Sequence, residues 1–509
     1  MRPSRLLPPA LYRLLPIALC ALHGCVVGPD YSRQQSPPSA GYTPAPLELP
    51  AAGRTDVQQR AQPGAAVIGE WWTLFASPQL NDTLALAVAN SPTLDTARAT
   101  LREAQQAILV ARGALYPQAD LAAGAMRERV SAGGAGGAEN AGHVVDTLLT
   151  IGPTVSYGLD LFGGVRRQVE QQTALADYQR YELAAAYLAL TGNAVTQAIT
   201  IASAREQIRA VKDVIAVDER NVELVKIERA AGKAAETDVL VAQSQLAADL
   251  ALLPPLLQQL SAAADALAIL VGKTPAEWRA PHFDFDGLVL PVDVPVALPS
   301  ALVQTRPDIL AAEAQLHAAS AAIGVATAQL YPNVTLNALW TQSAGAMGPL
   351  FDSANGLWSV AADLTAPLFH GGALQAQRQA SIDAFDAALG VYRQTVLTAF
   401  GQVADTLRAL KHDAQELDAQ RQALDAAQAA LEFSQESYRV GSASLLDVLQ
   451  AQRLYAQARL GYAKAKGQRY LDTAQLFEAM GGAWQDWVDQ QAGKSVSRAP
   501  RLRPPQAAW

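Results

Sequence analysis

The sequence predicts a mainly α-helical protein with a transmembrane β part: a trimeric 12-stranded β-barrel continuous with a long periplasmic α-helical coiled-coil barrel, built from two structural repeats per chain. Three observations predict it. The phrase Gly-x-Ala-x-x-x-Asp-Val-Leu-x-Ala-Gln is written twice, as GKAAETDVLVAQ at 232–243 and GSASLLDVLQAQ at 441–452. Apolar residues recur every seventh position over long stretches, the period of a left-handed supercoil. Between these stretches lie segments of about 10–12 residues in which apolar and polar side chains alternate, the pattern of membrane β-strands.

Composition agrees. Of 509 residues 50% are hydrophobic but only 6% aromatic, so small side chains dominate and helices can pack closely. Residues 1–24 read as a lipoprotein signal peptide: Arg2, Arg5 and Arg13 precede LLPIALCAL, an apolar run too short to span a bilayer. The run ends in LHGC, and cleavage before Cys25 would free its thiol for diacylglycerol and its amine for a further acyl chain. His23 departs from the small or hydroxyl residue usual in such a box. Cys20 leaves with the peptide, so one cysteine remains and no disulfide can form. The formal charge of −8 becomes −11 once the three arginines are lost, which argues against nucleic acid as a partner. No later stretch reaches 18 uninterrupted apolar residues. Any membrane crossing must therefore be a closed β-barrel, with every backbone group paired.

After an N-terminal and equatorial segment at 25–91, the first repeat spans 92–272. Ser91-Pro92 supplies an N-cap and a proline at the first helical position, and the short helix stops at Tyr116-Pro117. A β-hairpin follows at about 117–161. Leu149, Ile151, Val155, Tyr157, Leu159 and Leu161 alternate there with Thr150, Gly152, Thr154, Ser156, Gly158 and Asp160. A long helix at about 165–230 carries Tyr187, Ala194, Ile201, Ile208, Ile215 and Val222 at seven-residue spacing. It turns at Gly232, and a returning helix covers about 235–271, with a kink or break expected at Pro254-Pro255. A linker at 273–306 leads to the second repeat at 307–482. This has a hairpin at about 332–368, a long helix at about 372–440 with its heptads from Ile382 to Tyr438, a turn at Gly441 and a returning helix at about 445–480. Residues 483–509 read as an equatorial tail, partly disordered.

Four strands cannot close a barrel, whereas three chains supply twelve. CVVGPDY at 25–31, EWWTLFASPQL at 70–80, LPSALVQTRPDILAAEAQLHAASAAIGVATAQLYPNVTL at 298–336, AFGQVADTLRAL at 399–410 and YRVGSASLLDVLQAQ at 438–452 closely resemble the outer-membrane factors of Gram-negative tripartite efflux pumps. The resemblance is to their NodT-like or OprM-like lipoprotein branch, related to TolC. It implies a homotrimeric exit duct for small molecules and drugs, lipid-anchored in the outer membrane with its helical tunnel in the periplasm. Such a duct works with a periplasmic adaptor (membrane fusion) protein and an inner-membrane transporter of the RND type. It is not an enzyme and holds no cofactor beyond the acyl groups on Cys25.

The resemblance also implies roles for particular residues. The turns formed by Gly232, Lys233 and Ala234, and by Gly441, Ser442 and Ala443, would be helical tips touched by the adaptor. Asp238, Asp447 and Tyr438 would belong to a periplasmic gate. Ala443 stands where TolC has a basic gate residue, which leaves Lys233 and Arg439 as candidates for pairing. Each assignment has a plainer counterpart: the glycines terminate helices, the aspartates complement helix dipoles, and Tyr438 fills a heptad seam. Trp71, Trp72 and Phe75 read as belt core. Among the six histidines no metal-ligand spacing occurs, and no nucleophile triad or P-loop is written. The rival class is a periplasm-spanning coiled-coil lipoprotein that tethers and does not conduct.

Overall fold

The computed structural model describes residues 26–35, 41–43, 59–65, 67–131 and 143–490. Cys25, the signal peptide, most of the first hairpin loop and the tail after 490 lie outside the described residues. In chain order the elements are β1 (Arg60–Pro63), a 3-10 turn (Trp71–Phe75), α1 (Pro78–Asn90), α2 (Pro92–Gly113), β2 (Gln118–Ser131), β3 (His143–Leu159), α3 (Gly164–Ala230), α4 (Glu236–Leu250) and α5 (Leu253–Leu270). Then come β4 (Asp293–Val296), α6 (Pro299–Thr305), α7 (Pro307–Ala328), β5 (Asn333–Ala344), β6 (Gly356–Thr365), α8 (Ala373–Arg439) and α9 (Leu445–Ala479). The order helix, two strands, long helix, turn, returning helix thus occurs twice. Each long helix has 67 residues, about 100 Å at 1.5 Å per residue.

Local chemistry sets the boundaries. The Ser91 hydroxyl accepts from the Leu94 N–H at 3.4 Å, and proline opens α2 directly after it. The first returning helix divides at Ala251–Leu252, so Pro254 and Pro255 fall in the first turn of α5. There a missing N–H leaves no bond unmade. The second returning helix has no such pair and runs unbroken for 35 residues.

The contacts separate the chain into two units, and each gathers segments from both halves of the sequence. One unit holds residues up to 33 together with 101–178 and 312–392. At its centre β2-β3-β5-β6 form one antiparallel sheet. The register places Leu159, Val334 and Leu364 in one row, Val155, Ala338 and Val360 in another, and Trp340 opposite Trp358. This apolar face is open, with Trp358 76% and Val360 74% exposed. The opposite face carries mostly polar side chains, with Met126, Leu148, Leu339 and Leu357 as apolar exceptions. Beside the sheet a strap of residues 26–33 is held by Arg167. Its Nη2 donates to Asp30 Oδ1 at 2.7 Å and its Nε to the Val27 carbonyl at 3.2 Å. Tyr31 stacks on His317 at 4.4 Å, and Arg33 pairs with Glu313 at 2.8 Å. His317, isolated in sequence, therefore has two partners, since its Nε2 also meets Glu170 at 3.0 Å.

The second unit holds 34–100, 179–311 and the chain from 393 onward. Its seam is the heptad set: Ala194, Ile201, Ile208, Ile215 and Val222 on α3 are buried, as are Val396, Val403, Leu410 and Leu417 on α8. Leu424, Leu431 and Tyr438 further along are half-buried. Trp71, Trp72 and Phe75 are core, and Trp71 stacks on Phe477 at 5.3 Å. β1 and β4 pair in parallel.

Gly28 makes the strap testable. It has φ +92°, and a Cβ there would lie 2.4 Å from the Gly324 Cα. Gly28→Ala should cost about 1–3 kcal/mol and expose the strap to proteolysis, read by limited digestion and thermal unfolding.

Candidate functional site

The twice-written phrase folds into two turns within one unit. At the first, the Gly232 N–H donates to the Arg229 carbonyl at 2.9 Å and the Lys233 N–H to the Glu228 carbonyl at 2.8 Å. At the second, Gly441 donates to Tyr438 at 3.0 Å and Ser442 to Ser437 at 2.9 Å. Both are Schellman closures, which need a residue at positive φ. Gly232 and Gly441 supply it at +70° and +80°.

The returning helices start differently. Asp447 and Ser444 form a complete capping box. Asp447 Oδ2 accepts from the Ser444 N–H at 2.9 Å and from its hydroxyl at 2.6 Å, while the Asp447 N–H lies 3.3 Å from the same hydroxyl oxygen. In the first turn Asp238 Oδ2 accepts from the Ala235 N–H at 2.8 Å, but Ala235 has no side-chain oxygen to return the bond. Hydrogen bonds from Ser444 hold the Asp447 carboxyl below the usual carboxylate range. Both aspartates are thus engaged at their own helix starts within the single chain.

The two turns are joined. Val222 and Val225 of α3, Val239 and Ala242 of α4 and Leu449 of α9 form one buried cluster, with Ala234 and Leu445 packed against it. The Tyr438 hydroxyl donates to Glu228, linking the ends of α8 and α3. Burial and that carboxylate push the phenol up to about 12. Arg229 bridges the first turn to Glu236. Arg439 pairs with Glu436 on its own helix at 2.8 Å, whereas Lys233 has no ion-pair partner among the described residues. Ser442 Oγ donates to the Ser437 carbonyl at 3.1 Å. Ala443, beside it, is half-buried and without a charge to offer.

Deeper in the same hairpins are two carboxylate pairs that motif reading does not single out. Asp218 on α3 faces Asp249 on α4, 14 residues before and 17 after Gly232. Asp413 on α8 faces Asp472 on α9, 28 residues before and 31 after Gly441. Each long-helix member lies three residues after a seam position, Ile215 or Leu410, and the two pairs differ by two heptads. An acid in that repeat was the available signal. All four carboxylates are buried. Gln452 donates to Asp218 at 2.5 Å and Gln245 to Asp249 at 2.7 Å, yet Asp218 Oδ2 and Asp413 Oδ2 meet no donor among the described residues. Burial first, then the facing carboxylate, raises Asp218 and Asp413 to about 8 each. Glu416 adds to the rise at Asp413, and the buried Arg469 opposes it.

Comparison with known proteins bears on what such hairpins serve. The family model described as outer membrane efflux protein matches residues 83–273 and 298–482. A pyoverdine export outer membrane protein of Pseudomonas aeruginosa, OpmQ, is 32% identical over 454 residues, covering 88% of this chain and 94% of its own. A toluene efflux pump outer membrane protein of Pseudomonas putida, TtgC, is 28% identical over 96% of this chain and 99% of its own. Among solved structures the outer-membrane channel OprN superposes with a TM-score of 0.81 at 27% identity, over 91% of this chain and all of that one. The Campylobacter jejuni CmeC channel gives 0.82 over 92% of this chain and 98% of its own, a likeness of fold alone at 20% identity.

Two measurements test the site. Ser444→Ala should destabilise the second turn by about 1 kcal/mol, and Ala235→Ser should strengthen the first by a similar amount, read as hydrogen exchange at the two helix starts. The carboxylate pairs fix a pH trend. The raised values of Asp218 and Asp413 mean the folded state holds protons the unfolded chain has lost, so stability is greatest below about pH 4 and falls towards pH 8. The slope is about 1.4 kcal/mol per pH unit for each such proton. Asp218→Asn with Asp413→Asn should flatten that slope and raise the melting temperature at pH 8; an unchanged slope would mean the pairs ionise freely.

Proposed function

Because the chain belongs to the outer membrane efflux protein family, we propose that three copies form the exit duct of a tripartite efflux pump. Proteins of this kind are outer-membrane channels of Gram-negative cells and transport rather than catalyse. The finer reading is passive conduction of small molecules to the exterior, driven by an inner-membrane transporter of the RND class, as the resemblance implies, and delivered through a periplasmic adaptor. One observation carries it. The sheet β2-β3-β5-β6 offers lipid a broad apolar face but ends in two strands, β2 and β6, that have no outer partner among the described residues. Unpaired edges do not persist in hydrocarbon, and three such sheets joined edge to edge make twelve strands, within the range of known barrels.

On this reading the long helices of three chains line a periplasmic tube, and Cys25 carries the acyl anchor. The turns at Gly232, Lys233 and Ala234 and at Gly441, Ser442 and Ala443 meet the adaptor. Asp238, Asp447 and Tyr438 surround the entrance, where three copies of each acid would favour cations. The helix caps they form and the gate role are compatible, since capping leaves lone pairs free. Cargo differs among the relatives, pyoverdine for one and toluene for another, so cargo choice is assigned to the transporter. A tether that does not conduct has no use for an apolar sheet face.

The duct predicts a trimer on native gels and single-channel current in planar bilayers; a monomer in detergent that carries no current under any condition overturns it. Asp238→Ala with Asp447→Ala should raise conductance or shift cation preference. Wild-type values for both would leave the two aspartates as helix caps only.

A further inference from the structure

The strand register sorts the charges of the sheet by face. Paired residues of antiparallel strands point to the same side. Asp120, Glu128, Asp146 and Asp363 all fall on the mostly polar face, and Glu128 lies directly opposite Asp146. Both arginines of the sheet fall on the other side. Arg127 is paired with Thr147 and Arg129 with Val145, in line with Leu149, Ile151 and Val155. An arginine one position along would have neutralised the opposed acids. Instead the basic side chains extend from the apolar face, both exposed and without an ion pair among the described residues.

Their height is set by the apolar band. From Leu159 to Leu149 the face advances ten residues of β3, about 33 Å along the strand, or about 25 Å of membrane at the usual strand tilt. That is the height of the apolar band of outer-membrane barrels. The foot of the band is marked by the strap, where the Val27 N–H donates to the Phe162 carbonyl at 3.1 Å. Thr147, with Arg127 beside it, is the next position beyond the band on the same face, and Val145, with Arg129, the one after. Arginines there reach the level of lipid head groups with their apolar stems over the last hydrocarbon.

Resting on the membrane-spanning reading above, we propose that Arg127 and Arg129 form a lipid-facing clamp for the phosphate monoesters of an anionic glycolipid in the outer leaflet. The guanidinium fork suits phosphate oxygens bidentately. Two forks about 7 Å apart on one strand face match a head group that carries more than one phosphate.

The full-length protein and its Arg127→Gln/Arg129→Gln variant are placed in vesicles of phosphatidylcholine, of phosphatidylcholine with lipid A, and of phosphatidylcholine with inorganic phosphate in the buffer. Lipid retained after detergent extraction is counted by mass spectrometry, and the heat resistance of the assembly is followed. The wild type should retain roughly tenfold or more lipid A than the variant. Its melting point should rise with lipid A but not with inorganic phosphate, and Arg127→Lys/Arg129→Lys should keep much of the effect. Equal retention overturns the clamp. So does a variant weakened equally in phosphatidylcholine alone, which would make the arginines a contact between subunits, and so does a rise with inorganic phosphate, which would make them a site for the free ion. Conductance in the phosphatidylcholine vesicles separates the two readings: no current from the wild type defeats the duct, whereas normal current with equal retention defeats only the clamp.

Discussion

The unpaired backbone of two edge strands governs much of this protein. β2 and β6 each leave a row of N–H and C=O groups without strand partners among the described residues, next to side chains that suit hydrocarbon. In water such an edge invites aggregation; in lipid each unpaired group costs several kcal/mol. On the proposed reading the remedy is other copies, each sheet presenting one edge of each kind. Within the chain, α3 and α8 continue from strands β3 and β6 through glycine-containing links at Gly163 and at Gly371-Gly372, all at positive φ.

Much of this was legible in the sequence, and the reasons are local. A seven-residue apolar period identifies α3 and α8, glycine before a capping aspartate marks each turn, and alternation reveals β3, β5 and β6. β2 was harder, because Ala119, Ala122, Ala123 and Ala125 with Gly124 give neither face a clear character; its pairing with β3 supplies what its side chains do not. The division of the first returning helix also followed from proline chemistry, though the break falls two residues earlier than the prolines themselves.

What stayed hidden depends on contacts distant in sequence. Asp218 and Asp413 look like ordinary surface acids until the heptad count puts them beside the seam, and only the returning helix brings Asp249 and Asp472 against them. Tyr438 reads as seam packing or gate, and neither reading reveals that its hydroxyl donates to Glu228, 210 residues away. The strap is similar: CVVGPDY reads as a family motif, but that Gly28 lies against Gly324 is a matter of tertiary approach. Periodicity reports which face a residue takes, and says little about which residue it will meet there.

The two turns share a backbone but not a surface. One offers Glu236-Thr237 after Ala235, which has no side-chain oxygen, the other Leu445-Leu446 after Ser444, whose hydroxyl completes its capping box. In the proposed ring of three chains the two kinds of turn would alternate. A partner that grips every tip alike needs six copies and contacts made to the shared backbone, whereas one that reads the side chains needs only three. On the proposed reading, four residues at the far end of a duplicated hairpin would then decide the stoichiometry of the assembly.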